Sequence, residues 1–225
     1  YPQGKTFNNF TVPGSVETLG NYAFYDCTSL IEITLADTLK SIGCYVFAGT
    51  SVTEMIIPDS VTWIGSNAFD RCVLLEELTI PFVGSARGEA GSSESVFGYI
   101  FGNSYFTGSS AAYQWYDDIN YIRYYLPVSL KSVIITDSRS IPYGAFSGCG
   151  EIRQITLENT VYVGEKAFMG CASLMNVSLP RTLISIANEA FNGCKALSSI
   201  ELPASLTYIG ALAFHNCPLL TVNYE

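Results

Sequence analysis

Residues 197–217 read LSSIELPASLTYIGALAFHNC, and this stretch decides the fold because its pattern recurs along the chain. It combines Leu-x-x-Ile-x-Leu-Pro with a later Ile-Gly-x-x-Ala-Phe-x-x-Cys. The phenylalanine anchors the repeat and recurs as Phe24, Phe47, Phe69, Phe146, Phe168, Phe191 and Phe214. The spacings are 23, 22, 77, 22, 23 and 23 residues, so all but one keep a single period. A fixed period of this length predicts stacked structural repeats.

The first half of each repeat alternates apolar and polar residues, which is the periodicity of a β-strand. Nine such segments begin at Phe7, Leu30, Val52, Leu75, Leu130, Ile152, Leu174, Leu197 and Leu219. A coil of about 23 residues cannot bury its apolar face alone, so neighbouring coils must stack. We predict one right-handed leucine-rich-repeat solenoid over residues 1–225, an α/β-type but β-rich repeat with the phenylalanines stacked inside. The glycine after isoleucine is expected to adopt a positive φ.

The repeated unit resembles the BspA-type leucine-rich repeat of bacterial surface proteins. The resemblance covers most of the chain, with departures at Pro142 and Ala187, which replace the glycine, and after Phe47, where the cysteine is missing. It implies a leucine-rich-repeat fold and a secreted or surface-attached bacterial protein. It also implies adhesion to host proteins or to other cells, and it indicates a location more firmly than a ligand.

The composition excludes several classes of protein. The chain is 48% hydrophobic and 14% charged, whereas a disordered chain is polar and highly charged. Its net charge of −9 disfavours nucleic-acid binding. The sequence contains no run of 18 apolar residues, so no transmembrane segment is predicted. The chain begins at Tyr1 without a signal sequence, so we expect a fragment of a longer extracellular or cell-surface protein.

Six of the seven cysteines share one repeat position and should form a column along the solenoid: Cys27, Cys72, Cys149, Cys171, Cys194 and Cys217. Cys27 and Cys72 lie two coils apart, at roughly 10 Å for a spacing of ~5 Å, which is too far for a disulfide. The last four lie on successive coils, where distance alone leaves a disulfide open. Buried free thiols that donate weakly to loop carbonyls are favoured. A straight column lacks the convergent ligands of a zinc site, so no metal is predicted.

The gap of 77 residues contains one strand segment and a loop-like insertion at about 82–127. The insertion carries eleven rings: Phe97, Tyr99, Phe101, Tyr105, Phe106, Tyr113, Trp115, Tyr116, Tyr121, Tyr124 and Tyr125. Phe97 or Phe101 is a candidate for the missing ring of the internal stack. The other rings either fix the insertion to the solenoid or form an adaptable recognition patch. The exposed binding residues are predicted to be Trp115, Tyr116, Tyr121 and Tyr124.

The polar positions of the strands form columns on the sheet surface. One column places Glu32, Glu54 and Glu77 on consecutive strands, at a spacing of roughly 5 Å. Like charges in direct opposition are destabilising. Either solvent screens these glutamates, or they are binding residues that attract a cationic partner.

No catalytic or cofactor site is predicted. His215 is the single histidine, and no carboxylate lies near it in the repeat, as a catalytic triad would require. The chain has no phosphate-binding loop and no EF-hand loop. We therefore expect a non-enzymatic recognition or adhesion module that binds a protein or glycan on another cell or matrix surface. A passive stalk or spacer of a larger surface protein is the alternative, and a hydrolase using insertion residues would require a cleft with converging carboxylates.

Overall fold

A computed structural model describes residues 8–88 and 90–224 as a parallel β-solenoid. A typical coil has a longer strand, a shorter strand and a turn. In chain order the strands are β1 (Asn9–Thr11), β2 (Thr18–Leu19), β3 (Glu32–Thr34), β4 (Ser41–Ile42), β5 (Glu54–Ile56), β6 (Trp63–Ile64), β7 (Glu77–Ile80), β8 (Ser109–Trp115), β9 (Tyr121–Pro127), β10 (Ser132–Ile135), β11 (Ser140–Ile141), β12 (Gln154–Leu157), β13 (Tyr162–Val163), β14 (Asn176–Ser178), β15 (Ser185–Ile186), β16 (Ser199–Leu202), β17 (Tyr208–Ile209) and β18 (Thr221–Tyr224). A 3-10 helix, η1 (Phe97–Ile100), lies between β7 and β8, and the described residues contain no α-helix.

The nine longer strands form one face of the solenoid, here called the long-strand face. They are hydrogen-bonded in three runs: β1-β3, β5-β7-β10-β12-β14 and β16-β18. The pairing is in repeat register, because Ile155 lies opposite both Val133 and Val177. The predicted strand segments and the solenoid are confirmed, apart from Phe7, which lies outside the described residues.

The repeated phenylalanines stack inside the solenoid as predicted, with neighbouring ring centroids 4.6–6.0 Å apart from Phe24 to Phe214. Both Phe97 and Phe101 enter this stack between Phe69 and Phe146. Helix η1 replaces the missing phenylalanine turn, since Phe69 N–H donates to Ile100 and Phe97 N–H donates to Ala145. The stack is therefore continuous across the long gap in the repeat.

The expected positive φ of the glycine that follows isoleucine is wrong. Outside the insertion, where Gly84, Gly88, Gly91, Gly102 and Gly108 also have positive φ, the positive φ angles lie on two columns, two residues before and two residues after each repeated phenylalanine. The first column is Tyr22, Tyr45, Asn67, Gly144, Lys166, Glu189 and Leu212, and the second is Asp26, Gly49, Arg71, Gly148, Gly170, Gly193 and Asn216. The glycine after isoleucine permits close approach of coils instead, because a Cβ on Gly43 would lie 2.6 Å from the backbone nitrogen of Asn21.

All seven cysteines are free. Four thiols of the column donate to the phenylalanine carbonyl of the preceding coil at 3.1–3.2 Å: Cys72 to Phe47, Cys171 to Phe146, Cys194 to Phe168 and Cys217 to Phe191. Burial raises the pKa of Cys72 and Cys149 to about 12. The buried members of the column are thus protonated, unreactive core residues at neutral pH.

Candidate functional site

Strands β8 and β9 form an antiparallel hairpin within the insertion, with Trp115 opposite Tyr121 and Tyr113 opposite Arg123. A loop-like insertion was expected, but both segments alternate between inward and outward side chains over seven residues, which is strand periodicity. The inner face packs on the solenoid through Ala112, Gln114, Tyr124 and Leu126, all buried.

Gln114 is the polar anchor of the inner face and is fully buried. Its Oε1 accepts a hydrogen bond of 2.6 Å from the N–H of Gly98 in η1, and its Nε2 donates to Cys149 Sγ at 3.1 Å. The Tyr124 hydroxyl donates to the Ser93 carbonyl at 2.8 Å, and burial raises the pKa of Tyr124 to about 12. These bonds tie the hairpin to η1, to the cysteine column and to the start of the insertion.

The hairpin tip is held separately by a polar network. The Tyr143 hydroxyl donates to Asp118 Oδ1 at 3.0 Å and accepts from Lys166 Nζ at 2.6 Å. The hydrogen bond to Tyr143 raises the pKa of Lys166, so this lysine remains charged. Asp117 accepts from the backbone of Ile119 and Asn120 and thereby shapes the turn. Asp117 and Asp118 thus both have structural partners in the hairpin turn and on the solenoid.

The outer side of the hairpin is aromatic and faces solvent. We define the hairpin face by five rings and one cation: Tyr113, Trp115, Tyr121, Arg123 and Tyr125 of the hairpin, together with Tyr105, which precedes β8 and contacts Tyr125 at a centroid distance of 5.7 Å. Tyr113 and Tyr121 are 48% and 52% exposed, and Tyr121 contacts both Tyr113 and Trp115, with centroids 5.8 and 4.9 Å apart. Arg123 lies 5.3 Å from the ring centroid of Tyr125. Rings and guanidinium therefore form one contiguous surface.

The four predicted aromatic residues fall on different sides of the insertion. Tyr121 is exposed, whereas Trp115 and Tyr116 are half-buried. The expected exposure of Tyr124 is wrong, because this residue is 5% exposed and points inward. Tyr105, Tyr113, Arg123 and Tyr125 are not among the binding residues predicted from the sequence. The period-two alternation of the two strands was the available signal, since it places Tyr113 beside Trp115 and separates Tyr124 from Tyr121.

The three predicted glutamates are all exposed on the long-strand face. Glu54 and Glu77 are direct partners in the β5-β7 ladder. Glu32 lies on β3, which pairs with β1 and belongs to a different run from β5. A shallow cavity of about 290 Å³ lies at this break, with Glu32, Asp37 and Glu54 in its lining. The structure therefore gathers acidic groups at one end of the long-strand face.

Other chemistry is sparse in the described part of the chain. His215 Nδ1 lies 3.3 Å from Asn192 Oδ1, which is an amide and not a carboxylate. No cluster of three metal-ligating side chains occurs within residues 8–88 and 90–224. Over the same residues, no helix combines the length and the hydropathy that crossing a membrane requires.

The repeat and the geometry agree with one known family. A sequence model described as the BspA type leucine rich repeat region matches residues 3–88 and 117–225, with six copies of its repeat. The chain belongs to the BspA-type leucine-rich-repeat family. The unmatched residues 89–116 lie within the insertion, so the family repeat accounts for neither η1 nor β8.

Solved bacterial leucine-rich repeat proteins are similar to this chain. A leucine-rich repeat protein from Bacteroides ovatus is 28% identical, with a TM-score of 0.58, over 94% of this chain and 47% of its own. One from Eubacterium ventriosum is 26% identical, with a TM-score of 0.49, over 96% and 44%. The present chain thus spans less than half the length of these two proteins. A comparison with curated proteins finds no match.

Proposed function

We propose that this chain is a non-enzymatic recognition module of a bacterial surface protein, and that the hairpin face contacts its partner. The partner is a protein or glycan on another cell or matrix surface. The observation that carries the proposal is that the two sides of the hairpin differ: one is anchored to the solenoid and the other is exposed. Its inner side is fixed by buried hydrogen bonds at Gln114 and Tyr124, while its outer side leaves five rings and Arg123 in contact with solvent.

The composition of the hairpin face supports this proposal. Tyrosine, tryptophan and arginine are the residues that most often dominate binding energy at interfaces. Tyr113 and Tyr121 each present a flat apolar ring with a polar tip, which suits both protein pockets and sugar rings. Because the hairpin is anchored on two sides, little conformational entropy is lost on binding.

An extracellular or cell-surface location is part of the same proposal. It is supported by membership of the BspA-type leucine-rich-repeat family, whose repeat resembles that of bacterial surface proteins. Its net charge of −9 disfavours nucleic acid as a partner. The glutamates on the long-strand face are a second candidate contact, and they would meet a basic patch of a protein partner.

A spacer is the second candidate function, and the internal phenylalanine stack favours it. Phe97 and Phe101 are fully buried and keep the stack unbroken through the insertion. A rod built in this way holds neighbouring domains apart without any contact to a ligand. The spacer role gives no reason for the aromatic outer side of the hairpin.

Binding to purified surface ligands tests the proposal. The chain is assayed by biolayer interferometry against fibronectin, fibrinogen, laminin and mucin. We expect binding to at least one of them. The affinity should be about tenfold or more weaker in Tyr113→Ala/Tyr121→Ala, which is the loss typical when aromatic residues that dominate an interface are replaced by alanine. Tyr208→Ala is the matched control, since Tyr208 is equally exposed but lies on β17. Absence of binding to all four, or equal binding by the double variant, would contradict the role of the hairpin face.

A further inference from the structure

The long-strand face is interrupted near its second end, between β14 and β16. Strand β14 pairs with β12, and β16 pairs with β18, but the described residues form no ladder between β14 and β16. The two strands nevertheless lie side by side in the same face. Backbone groups on their facing edges are therefore not used by a ladder, and a cavity of about 320 Å³ lies at this point.

The exposed side chains around this cavity are polar and arranged in two rows across the break, while Val177, Leu179, Ile200 and Pro203 supply the less accessible, apolar part of the lining. The first row contains Gln154, Asn176 and Ser199, and the second contains Ser178, Glu201 and Asn223. The repeat register sets both rows, because Gln154 lies opposite Asn176 and Glu201 lies opposite Asn223. All six residues are exposed, so these polar groups are available from solvent.

The chemistry of this lining differs from that of the cavity at the other break. The cavity between β3 and β5 contains three carboxylates, whereas this one has Glu201 as its only charged lining residue among the described residues. Primary amides both donate and accept hydrogen bonds, and hydroxyl groups do the same. A lining of amides, hydroxyls and one carboxylate matches a ligand that carries many neutral hydroxyl groups.

We propose that the cavity between β14 and β16, here called the amide cleft, binds a neutral oligosaccharide. Asn176, Asn223 and Gln154 exchange hydrogen bonds with sugar hydroxyls, and Glu201 accepts from a hydroxyl pair. The volume of about 320 Å³ lies at the lower end of small-ligand sites, which suits one or two sugar units. An anionic sugar is disfavoured because the cleft holds a carboxylate and no cation in its lining.

The amide cleft is independent of the hairpin face, because no residue of β8 or β9 lines it. The two proposals can therefore fail separately. Loss of oligosaccharide binding in Tyr113→Ala/Tyr121→Ala with full binding in a cleft variant would assign the sugar to the hairpin. Loss in the cleft variant alone assigns the sugar to the cleft.

A glycan microarray of neutral, sialylated and sulfated oligosaccharides provides the test, followed by calorimetry with the strongest neutral oligosaccharide. We expect the chain to bind neutral members. We expect Asn176→Ala/Asn223→Ala to weaken that binding at least tenfold, and Glu201→Gln to weaken it severalfold. Asn9→Ala and Glu158→Gln are the matched controls, since Asn9 occupies the same strand column as Asn176, and Glu158 is an exposed carboxylate outside the lining of the cleft.

A measurement without substitutions guards against misfolded variants. Addition of the neutral oligosaccharide to the ¹⁵N-labelled chain should shift the side-chain amide signals of Asn176, Asn223 and Gln154, and leave that of Asn9 in place. Absence of neutral-glycan binding, binding of acidic glycans alone, or shifts confined to the hairpin would overturn the proposal.

Discussion

Gln114 Nε2 lies 3.1 Å from Cys149 Sγ, and this contact joins the insertion to the cysteine column of the repeat. In the neighbouring coils the column thiol bonds to a phenylalanine carbonyl of the preceding coil, as Cys171 does with Phe146. At Cys149 the preceding turn is replaced by η1, and a side chain of the hairpin supplies the partner instead. The insertion is thus integrated into the repeat rather than attached to its surface.

Removal of the Gln114 side chain should destabilise the chain. Gln114→Ala leaves the N–H of Gly98 without its partner in a buried site, and an unsatisfied buried donor costs about 1–3 kcal/mol. Urea unfolding of Gln114→Ala measures this loss. Gln154→Ala is the matched control, since Gln154 is exposed on β12 and should change the free energy of unfolding little. Equal stability of the two variants would show that Gln114 does not anchor the hairpin.

A side chain at residue 144 should displace the hairpin. Gly144 has a φ of 54°, and its missing Cβ leaves space that the Trp115 carbonyl oxygen occupies. Gly144→Ala must therefore strain the backbone by roughly 1–2 kcal/mol and also move Trp115. We expect a lower unfolding temperature and faster proteolysis of the turn at Asp118. Gly14→Ala, in open space, is the control, and a Gly144→Ala chain as resistant as this control would refute the packing described.

Thiol reactivity should divide the seven cysteines into two groups. Cys27, Cys44 and Cys217 are half-buried, whereas Cys72, Cys149, Cys171 and Cys194 are buried. Only a thiolate attacks an alkylating reagent, and burial raises the pKa of all four thiols in the second group; it also raises the pKa of Cys217, which remains partly exposed to the reagent. Iodoacetamide followed by peptide mass spectrometry should label only the first group in the folded chain and all seven after urea treatment. Rapid labelling of Cys149 in the folded chain would contradict the buried column.

The same thiols predict that stability falls in alkali. Cys72 and Cys149 keep their protons up to a pKa of about 12 when folded, whereas the unfolded chain loses them near 9.0. Between these values the folded state binds more protons, so the free energy of unfolding decreases as pH rises. Urea titrations from about pH 8 to about pH 11 should show this decrease. Cys72→Ala/Cys149→Ala should have a shallower pH dependence, and an identical slope would assign the effect to other groups.

The coil was predictable from the sequence because the same spacing of apolar residues recurs along the chain, and each apolar position has an equivalent on the neighbouring coil. The two columns of positive φ were not, since non-glycine residues such as Tyr45 and Lys166 occupy them. Their left-handed conformation is imposed by stacking of the turns and not by local preference. At the glycine after isoleucine the sequence predicts a positive φ that the chain does not adopt, because this glycine serves close approach of the coils, which exists only in the stacked state.

The candidate site was predictable in composition but not in orientation. The enrichment of rings in the insertion pointed to this region, yet Tyr124 and Tyr121 have the same residue type and opposite environments. Strand alternation separates them once the turn at Asp117 is recognised. The amide cleft could not be derived from the repeat. The sequence pattern continues without interruption from β14 to β16, whereas the hydrogen-bonded pairing of the strands stops between them.

Tyrosine footprinting of the complex shows whether the hairpin face contacts the partner. The chain is nitrated with tetranitromethane while free and while bound to the ligand that binds it most strongly among the four surface ligands. Binding should protect Tyr105, Tyr113 and Tyr121 and leave Tyr208 and Tyr162 as reactive as before. Protection of Tyr208 or Tyr162 with continued nitration of Tyr113 and Tyr121, or failure of every ligand to bind, would contradict a recognition role for the hairpin face.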